Sequence, residues 1–273
     1  MMVDAPRPEG STRKTAVISG GSSGIGLACA RILCKRGYDV TLLARDEARL
    51  DEARRAIFES TGQIVVLRRL DVVNGLDCEA AIEEIARRAG GIDWLITCAG
   101  MVEPGLYETL GLDSHRRQME TNYFGTLNLV TPTARLMTHH GGGRITMVAS
   151  GAAFVGIAGY SAYAPGKFAV RALGEVLRVE LAPKGVSVSV AFPPDTDTPQ
   201  LAQEKLTRPA ITRALAAGGG VWPAQRVAER MIADAEAGRF MLTPSLLMAA
   251  FGWAHSLYAP IFRRRQIRLM RKL

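Results

Sequence analysis

A doubly wound α/β fold, with helices covering both faces of a parallel sheet, is what this sequence predicts, on three observations. Short runs rich in β-branched residues alternate with helical patterns along most of the 273 residues. The glycine-rich turn "SGGSSGIG", residues 19–26, joins the first such run to the first helical one. Apolar residues make up 48% and charged ones 22%, enough for one large core in a chain whose length suits a single α/β domain. Strands linked through crossing helices run parallel with right-handed crossovers, and repetition of that unit buries both faces of the sheet.

Each element has its own signal. "MMVDAPRPEGSTRK" mixes proline, glycine and charge without a hydrophobic stretch, so residues 1–14 read as a loose leader and not as a signal peptide. "TAVISG" is the first strand, and a helix follows from about Gly24 to Arg36. "DVTLLAR" and the charged "DEARLDEARRAIFES" form the next strand and helix, and "IVVLRRLDV" with "LDCEAAIEEIARRAG" the third pair. "DWLITCAG", "RITMVAS" and "VSVSVAF" continue the sheet, each after a further helical stretch. The domain drawn this way spans 15–240, and an apolar, basic extension follows at 241–273.

The net charge is +8, yet six basic residues fall in the last eleven positions, "RRRQIRLMRKL", and the body keeps only about +2. A nucleic-acid groove therefore lacks its electrostatic footing. Cys29, Cys34, Cys78 and Cys98 have no metal-ligand spacing, so no metal is expected, and scattered thiols fit a reducing cytoplasm.

In the turn, Gly20, Gly24 and Gly26 stand in the spacing G-x-x-x-G-x-G. A chain that turns tightly, brings its backbone against a pyrophosphate and aims helix N–H groups at it needs glycine at such points. A glycine turn without a ligand is the alternative. The end of the second strand chooses the nucleotide: an acid would bind a ribose hydroxyl, whereas the guanidinium fork of Arg45 suits a 2′-phosphate and favours NADP(H) over NAD(H). A solvated arginine opening a helix is the other reading, kept open by Asp46 beside it.

Ser150 ends "RITMVAS", and Tyr163 and Lys167 lie four apart in "YSAYAPGKFAV". Positions i and i+4 of a helix share a face, so phenol and ammonium can enter one pocket. A free phenol titrates near ~10 and needs a cation close by to work at neutral pH. A strand-end serine can hydrogen-bond an oxygen on which negative charge develops. Alone, Tyr-x-x-x-Lys is a packed ring beside a solvated stem; the glycine turn, the serine and the tyrosine-lysine pair, in that order, favour catalysis. Pro165 lies between the pair and is tolerated in a first helical turn, so that helix should begin close to Tyr163.

On these motifs the chain resembles the short-chain dehydrogenase/reductase family from Thr15 to about Phe240, which implies a Rossmann-type NADP(H)-binding domain. The resemblance implies that Tyr163 gives or takes the proton, that Lys167 lowers its pKa and binds the nicotinamide ribose, and that Ser150 orients the substrate carbonyl. It implies that Asn122, in "ETNYFGT", anchors a water in a proton relay, a plain helix bend being the alternative. Implied cofactor contacts are Gly20, Ser22, Ser23, Gly24, Ile25 and Gly26 of the turn, then Arg45, Asp71 and Val72. Ala99 and Gly100 in "CAG" and Pro193, Thr196 and Thr198 in "FPPDTDTP" complete the set. Two positions depart from the family pattern. Thr97 stands where asparagine is usual, so the strand-end hydrogen bond must be made differently, and Pro194 replaces a glycine, which stiffens the loop. A homodimer or homotetramer built through long helices is implied too.

"PPDTDTP" with the following "QLAQEKLTRPAITRAL", "CAGM" and "WPAQRVAERMIADAEAGRF" resembles one branch, the 3-ketodihydrosphingosine (3-ketosphinganine) reductases of sphingolipid synthesis. That implies NADPH-dependent reduction of a long-chain 2-amino-3-ketone to sphinganine. Reduction of a steroid or 3-ketoacyl compound, and a non-catalytic NADP-binding regulator or membrane-associated scaffold, are the competing readings. Asp195 or Asp197 is expected beside the substrate ammonium; capping of turns is the alternative. "LLMAAFGWAHSLYAPIF", residues 246–262, is short and interrupted for a membrane span. Trp253, Tyr258 and the arginines after them suit the cytoplasmic face of a membrane at the entrance for a lipid substrate, with a lid or subunit-interface helix as the alternative.

Overall fold

The computed structural model describes residues 13–217 and 219–273, so all but the last two residues of the leader at 1–14 lie outside the described residues. The chain alternates as its pattern dictates: β1 (Thr15–Ser19), α1 (Gly24–Lys35), β2 (Asp39–Ala44), α2 (Glu47–Thr61), β3 (Val66–Arg69), α3 (Gly75–Ala89) and β4 (Trp94–Thr97). Then come α4 (Leu112–Met119), a π-helical turn at Glu120–Phe124, α5 (Gly125–His139), β5 (Gly143–Val148), α6 (Tyr163–Leu181) and β6 (Val186–Ala191). The last part holds β7 (Thr196–Asp197), α7 (Pro199–Thr207), α8 (Ala210–Ala216), β8 (Trp222–Pro223), α9 (Ala224–Glu236), β9 (Met241–Leu242) and α10 (Leu246–Met270).

Seven strands form one parallel sheet in the order β3-β2-β1-β4-β5-β6-β9, while β7 and β8 pair with each other outside it. Side chains of a strand alternate between faces, and the apolar residues sort accordingly. Ala16 and Ile18 of β1 and Trp94 and Ile96 of β4 join the core covered by α1, α2 and α9. Val17 and Leu95 join the opposite core, under α3, α5 and α6. Both faces are thus dry, which is why these strands read as continuous apolar runs.

Strand order reverses at β1, whose neighbours are β2 on one side and β4 on the other. The helices that follow β1 and β4 diverge there and leave a crevice at the carboxyl ends of the strands. The boundary drawn at 240/241 falls one element early. Met241 and Leu242 pair with Val190 and Ala191 of β6, so the extension begins after Leu242. In α10 the backbone leaves helical geometry at Ala254 (φ −113°, ψ 18°), and Pro260 lies further along. Among the described residues no helix is long and apolar enough to cross a membrane.

Candidate active site

The crevice is a cavity of about 820 Å³ that runs from the glycine turn and the end of β2 to α7, α8 and α10. At its first end the glycine turn is built for close approach. A Cβ at Gly20 would lie 2.7 Å from Ala99 N, one at Gly24 would lie 2.8 Å from Thr198 Cγ2, and one at Gly26 would collide with Gly20 O. Gly20 and Gly24 also have positive φ, +66° and +53°, which glycine adopts without strain. Helix α1 begins here with no side-chain cap on Ser23. Helices α2, α3 and α7, by contrast, are capped by Asp46, Asn74 and Thr198. The first amides of α1 are therefore left to an external acceptor, the arrangement that receives phosphate.

Arg45 and Arg49 both line this end and are exposed. Asp46, the acid beside them, caps α2 through Arg49 N (3.1 Å) and pairs with the Arg49 guanidinium at 3.6 Å. Its carboxylate is committed to the helix, and the balance of charge on the wall is positive. Ser22, Ser23, Ile25, Val72, Ala99, Gly100, Pro193, Thr196 and Thr198 all line the cavity. Asp71 does not: it is exposed, and its carboxylate accepts from Val73 N at 3.2 Å as a turn residue ahead of α3.

In the middle of the cavity three side chains meet. Helix α6 begins at Tyr163, as Pro165 requires, and directs Tyr163 and Lys167 to the end of β5. The Ser150 hydroxyl, which accepts from Ala152 N at 3.2 Å, lies near enough to the Tyr163 phenol to lower its pKa. Lys167 Nζ lies 5.7 Å from the centre of the Tyr163 ring and donates to Val148 O at 3.0 Å. Burial holds the Lys167 ammonium down at about 8. Burial pushes the Tyr163 phenol up, the Ser150 hydroxyl pulls it down, and the carboxylates of Glu204 and Asp195 push it up again; the sum is a raised pKa. Desolvation is the largest of these effects, so the phenol of the protein alone stays raised.

Asn122 sits fully buried in the π-helical turn. Its amide is used at both ends on Met101, accepting from Met101 N and donating to Met101 O, each at 2.9 Å. It clamps the segment after β4, and only Gly100 fits between it and Lys167 Nζ. Thr97, in place of asparagine, leaves its buried hydroxyl without a partner among the described residues. The segment is held instead by Ser19 Oγ, which accepts from Ala99 N at 3.2 Å.

Beyond Tyr163 lies a cluster that carries net charge. Arg208, whose side chain is 4% exposed, forks onto Asp195 (2.6 and 2.8 Å) and donates from Nε to Glu204 Oε1 (2.6 Å). Burial would lower the Arg208 pKa, but the two carboxylates more than offset it and raise it. Tyr160 donates its phenolic hydrogen to the same Glu204 oxygen. Asp195 therefore stands at the cavity wall already paired, and Asp197 is exposed and outside the lining. Helix α10 closes this end: Met248 packs against Gly151, next to Ser150, and Phe251, Phe262 and Arg265 line the same space.

The family model of the short chain dehydrogenases matches residues 14–209. The chain belongs to that family. This short-chain dehydrogenase is 36% identical over 240 residues to a protein of Danio rerio named 3-dehydrosphinganine reductase, covering 86% of this chain and 72% of that one. It is 32% identical over 282 residues to 3-ketodihydrosphingosine reductase of Dictyostelium discoideum, covering 92% and 84%. Among solved structures, a short-chain dehydrogenase from Sphingobium yanoikuyae in complex with NADPH is 25% identical with a TM-score of 0.77, covering 95% and 96%.

Sequence reasoning missed Arg49, Tyr160, Glu204 and Arg208 of this dehydrogenase. Glu204 and Arg208 are one helical turn apart, a spacing that ordinarily marks a solvated ion pair. Nothing in "EKLTRP" marks the pair as buried.

Proposed function

We propose that this dehydrogenase reduces 3-ketosphinganine, a long-chain 2-amino-3-ketone, to sphinganine with NADPH. The observation that carries the reading is the meeting of Ser150, Tyr163 and Lys167 in a cavity whose far wall is apolar, from Ile157, Leu215, Met248, Phe251 and Phe262. An alkyl chain gains about 25 cal/mol for each Å² of apolar surface it buries on such a wall. The names carried by the Danio rerio and Dictyostelium discoideum relatives support the same substrate. The uncapped start of α1, with Arg45 and Arg49 beside it, fits the pyrophosphate and 2′-phosphate of NADP(H). NADPH, when bound, supplies the hydride.

The chain's own groups manage the oxygen. Ser150 Oγ donates to the carbonyl oxygen, Tyr163 gives it the phenolic proton as C3 becomes an alcohol, and the buried Lys167 ammonium steadies the phenolate left behind. Desolvation keeps the phenol protonated but opposes the phenolate it leaves behind, so the step leans on the cation beside it. The assay is turnover by the purified protein of 3-ketosphinganine with NADPH, read as sphinganine by mass spectrometry. Reduction of a steroid or 3-ketoacyl ketone without reduction of 3-ketosphinganine would reject the reading.

The outer face of α10 supports a place at a lipid surface. Trp253, Leu257 and Ile261 are 83%, 76% and 66% exposed, and Arg263, Arg264, Arg268, Arg271 and Lys272 follow without an acid. Aromatic and aliphatic anchors beside a basic stretch suit an anionic bilayer, and the opposite face of the helix borders the cavity. Vesicles containing phosphatidylserine should float the wild-type protein and not a Trp253→Ser/Leu257→Ser/Ile261→Ser variant. Equal flotation of both would dismiss this placement.

A further inference from the structure

We propose that Glu204 is the group that receives the substrate ammonium, and that it sets the preference of this enzyme for an amino ketone over a plain one. The inference rests on the reading of the substrate as a 2-amino-3-ketone and moves the ammonium site from Asp195 and Asp197 to a residue of α7.

Charge accounting within the cavity leads there. Arg208 spends its fork on both oxygens of Asp195, a bidentate pair that neutralises that acid. Its remaining Nε–H and the Tyr160 hydroxyl go to one oxygen of Glu204, Oε1. The second oxygen, Oε2, accepts from no donor among the described residues and keeps accessible surface on the cavity, although the residue as a whole is only 9% exposed. Two carboxylates against one guanidinium leave an excess negative charge in a desolvated wall. Such a charge is costly unless a cation or a donor completes it.

The position is chemically apt. The Tyr160 ring, whose hydroxyl reaches Glu204, lies 5.5 Å from the Tyr163 ring, centre to centre. The Tyr163 phenol responds to the Glu204 charge directly. In a 2-amino-3-ketone the nitrogen is borne by the carbon next to the carbonyl, so its partner must sit beside the proton donor and not at the far end of the cavity. Among the described residues Glu204 pairs with no cation other than Arg208. Lys167 is held by Val148 O, and Arg265 is an exposed residue of α10. A purely structural role, tying the β6–α7 loop to the segment before α8, is the reading this inference must beat.

The test compares 3-ketosphinganine with the same long-chain ketone lacking the amine, in wild type and Glu204→Gln. The wild type should favour the amino ketone in kcat/KM by about 10- to 100-fold, the worth of a charge-assisted hydrogen bond. Glu204→Gln should lose most of that ratio, chiefly through KM. Equal losses on both ketones would mean a structural tie alone and overturn the inference. A wild type that reduces both ketones equally well overturns it while leaving the substrate reading intact; one that reduces neither overturns both. Should the variant fail to fold, the wild type still decides, through inhibition by a long-chain 2-amino alcohol against the same alcohol without nitrogen. At least about tenfold tighter inhibition by the amine supports the site, and equal inhibition rejects it.

Discussion

Replacing Lys167 with methionine should make this enzyme more stable while abolishing its activity. The ammonium is buried, 5% exposed, and its one acceptor among the described residues is Val148 O at 3.0 Å. Burial takes it from its ordinary 10.5 to about 8. At about 1.4 kcal/mol for each pH unit, the charged form costs the folded state roughly 3 kcal/mol at neutral pH. Methionine fills similar space without charge, and the lost hydrogen bond returns about 1 kcal/mol, so the variant should gain about 2 kcal/mol at pH 7. The sign of the pH dependence follows from a folded pKa below the unfolded one. Between pH 8 and 10.5 the unfolded chain binds more protons than the folded one, so wild-type stability rises with pH there and the penalty is full below pH 8. Above about 10 the buried Tyr163 phenol, whose folded pKa is raised, begins to act in the opposite direction. The window to examine is therefore pH 8 to 10, by urea denaturation of both proteins without added nucleotide. The advantage of Lys167→Met should be constant at pH 6 to 8 and shrink toward pH 10. A variant less stable than wild type at pH 7, or an advantage that ignores pH, would refute the claim that desolvation governs this lysine.

Four further outcomes are expected. Tyr163→Phe should lower kcat by about 10²- to 10⁴-fold, as loss of a general acid does, with NADPH binding retained by fluorescence titration. Arg45→Asp should cut kcat/KM for NADPH by about 10- to 100-fold and change that for NADH much less; equal effects would remove Arg45 from 2′-phosphate recognition. Thr97→Val deletes a buried hydroxyl that has no partner among the described residues and should raise stability by about 1 kcal/mol, read as the urea midpoint. Gly26→Ala would drive a Cβ into Gly20 O and should cost about 1–3 kcal/mol, with nucleotide binding lost together with stability.

The parts of this molecule that were legible in its sequence are those where local chemistry admits one solution. The continuous apolar runs "TAVIS" and "WLIT" mark strands buried on both faces, and the glycines at 20, 24 and 26 stand where a Cβ meets backbone or the Thr198 side chain. Pro165 fixes where α6 begins, because its ring is tolerated in a first turn and not inside a helix. The illegible parts are those decided by distant contacts. Strand β9 is two residues long and shows no period, and only its pairing with β6 reveals it. Asp195 and Asp197 are alike in the string, but Arg208, thirteen residues after the first, takes one and leaves the other in solvent.

Helix α10 is the most instructive case, since its apolar character served two readings that the structure does not oppose. A helix that is apolar all round has no linear mark to say which face turns inward. Gln266 supplies that mark in three dimensions. It is 8% exposed, accepts from Ala158 N at 2.7 Å and donates to Gly156 O at 2.9 Å, pinning the far half of α10 to the loop that leads from Ser150 to Tyr163. With that contact made, Met248, Phe251 and Phe262 border the cavity and Trp253, Leu257 and Ile261 turn outward. One division of faces thus makes a single helix the wall of the cavity on one side and leaves on the other the exposed residues on which the proposed lipid contact depends.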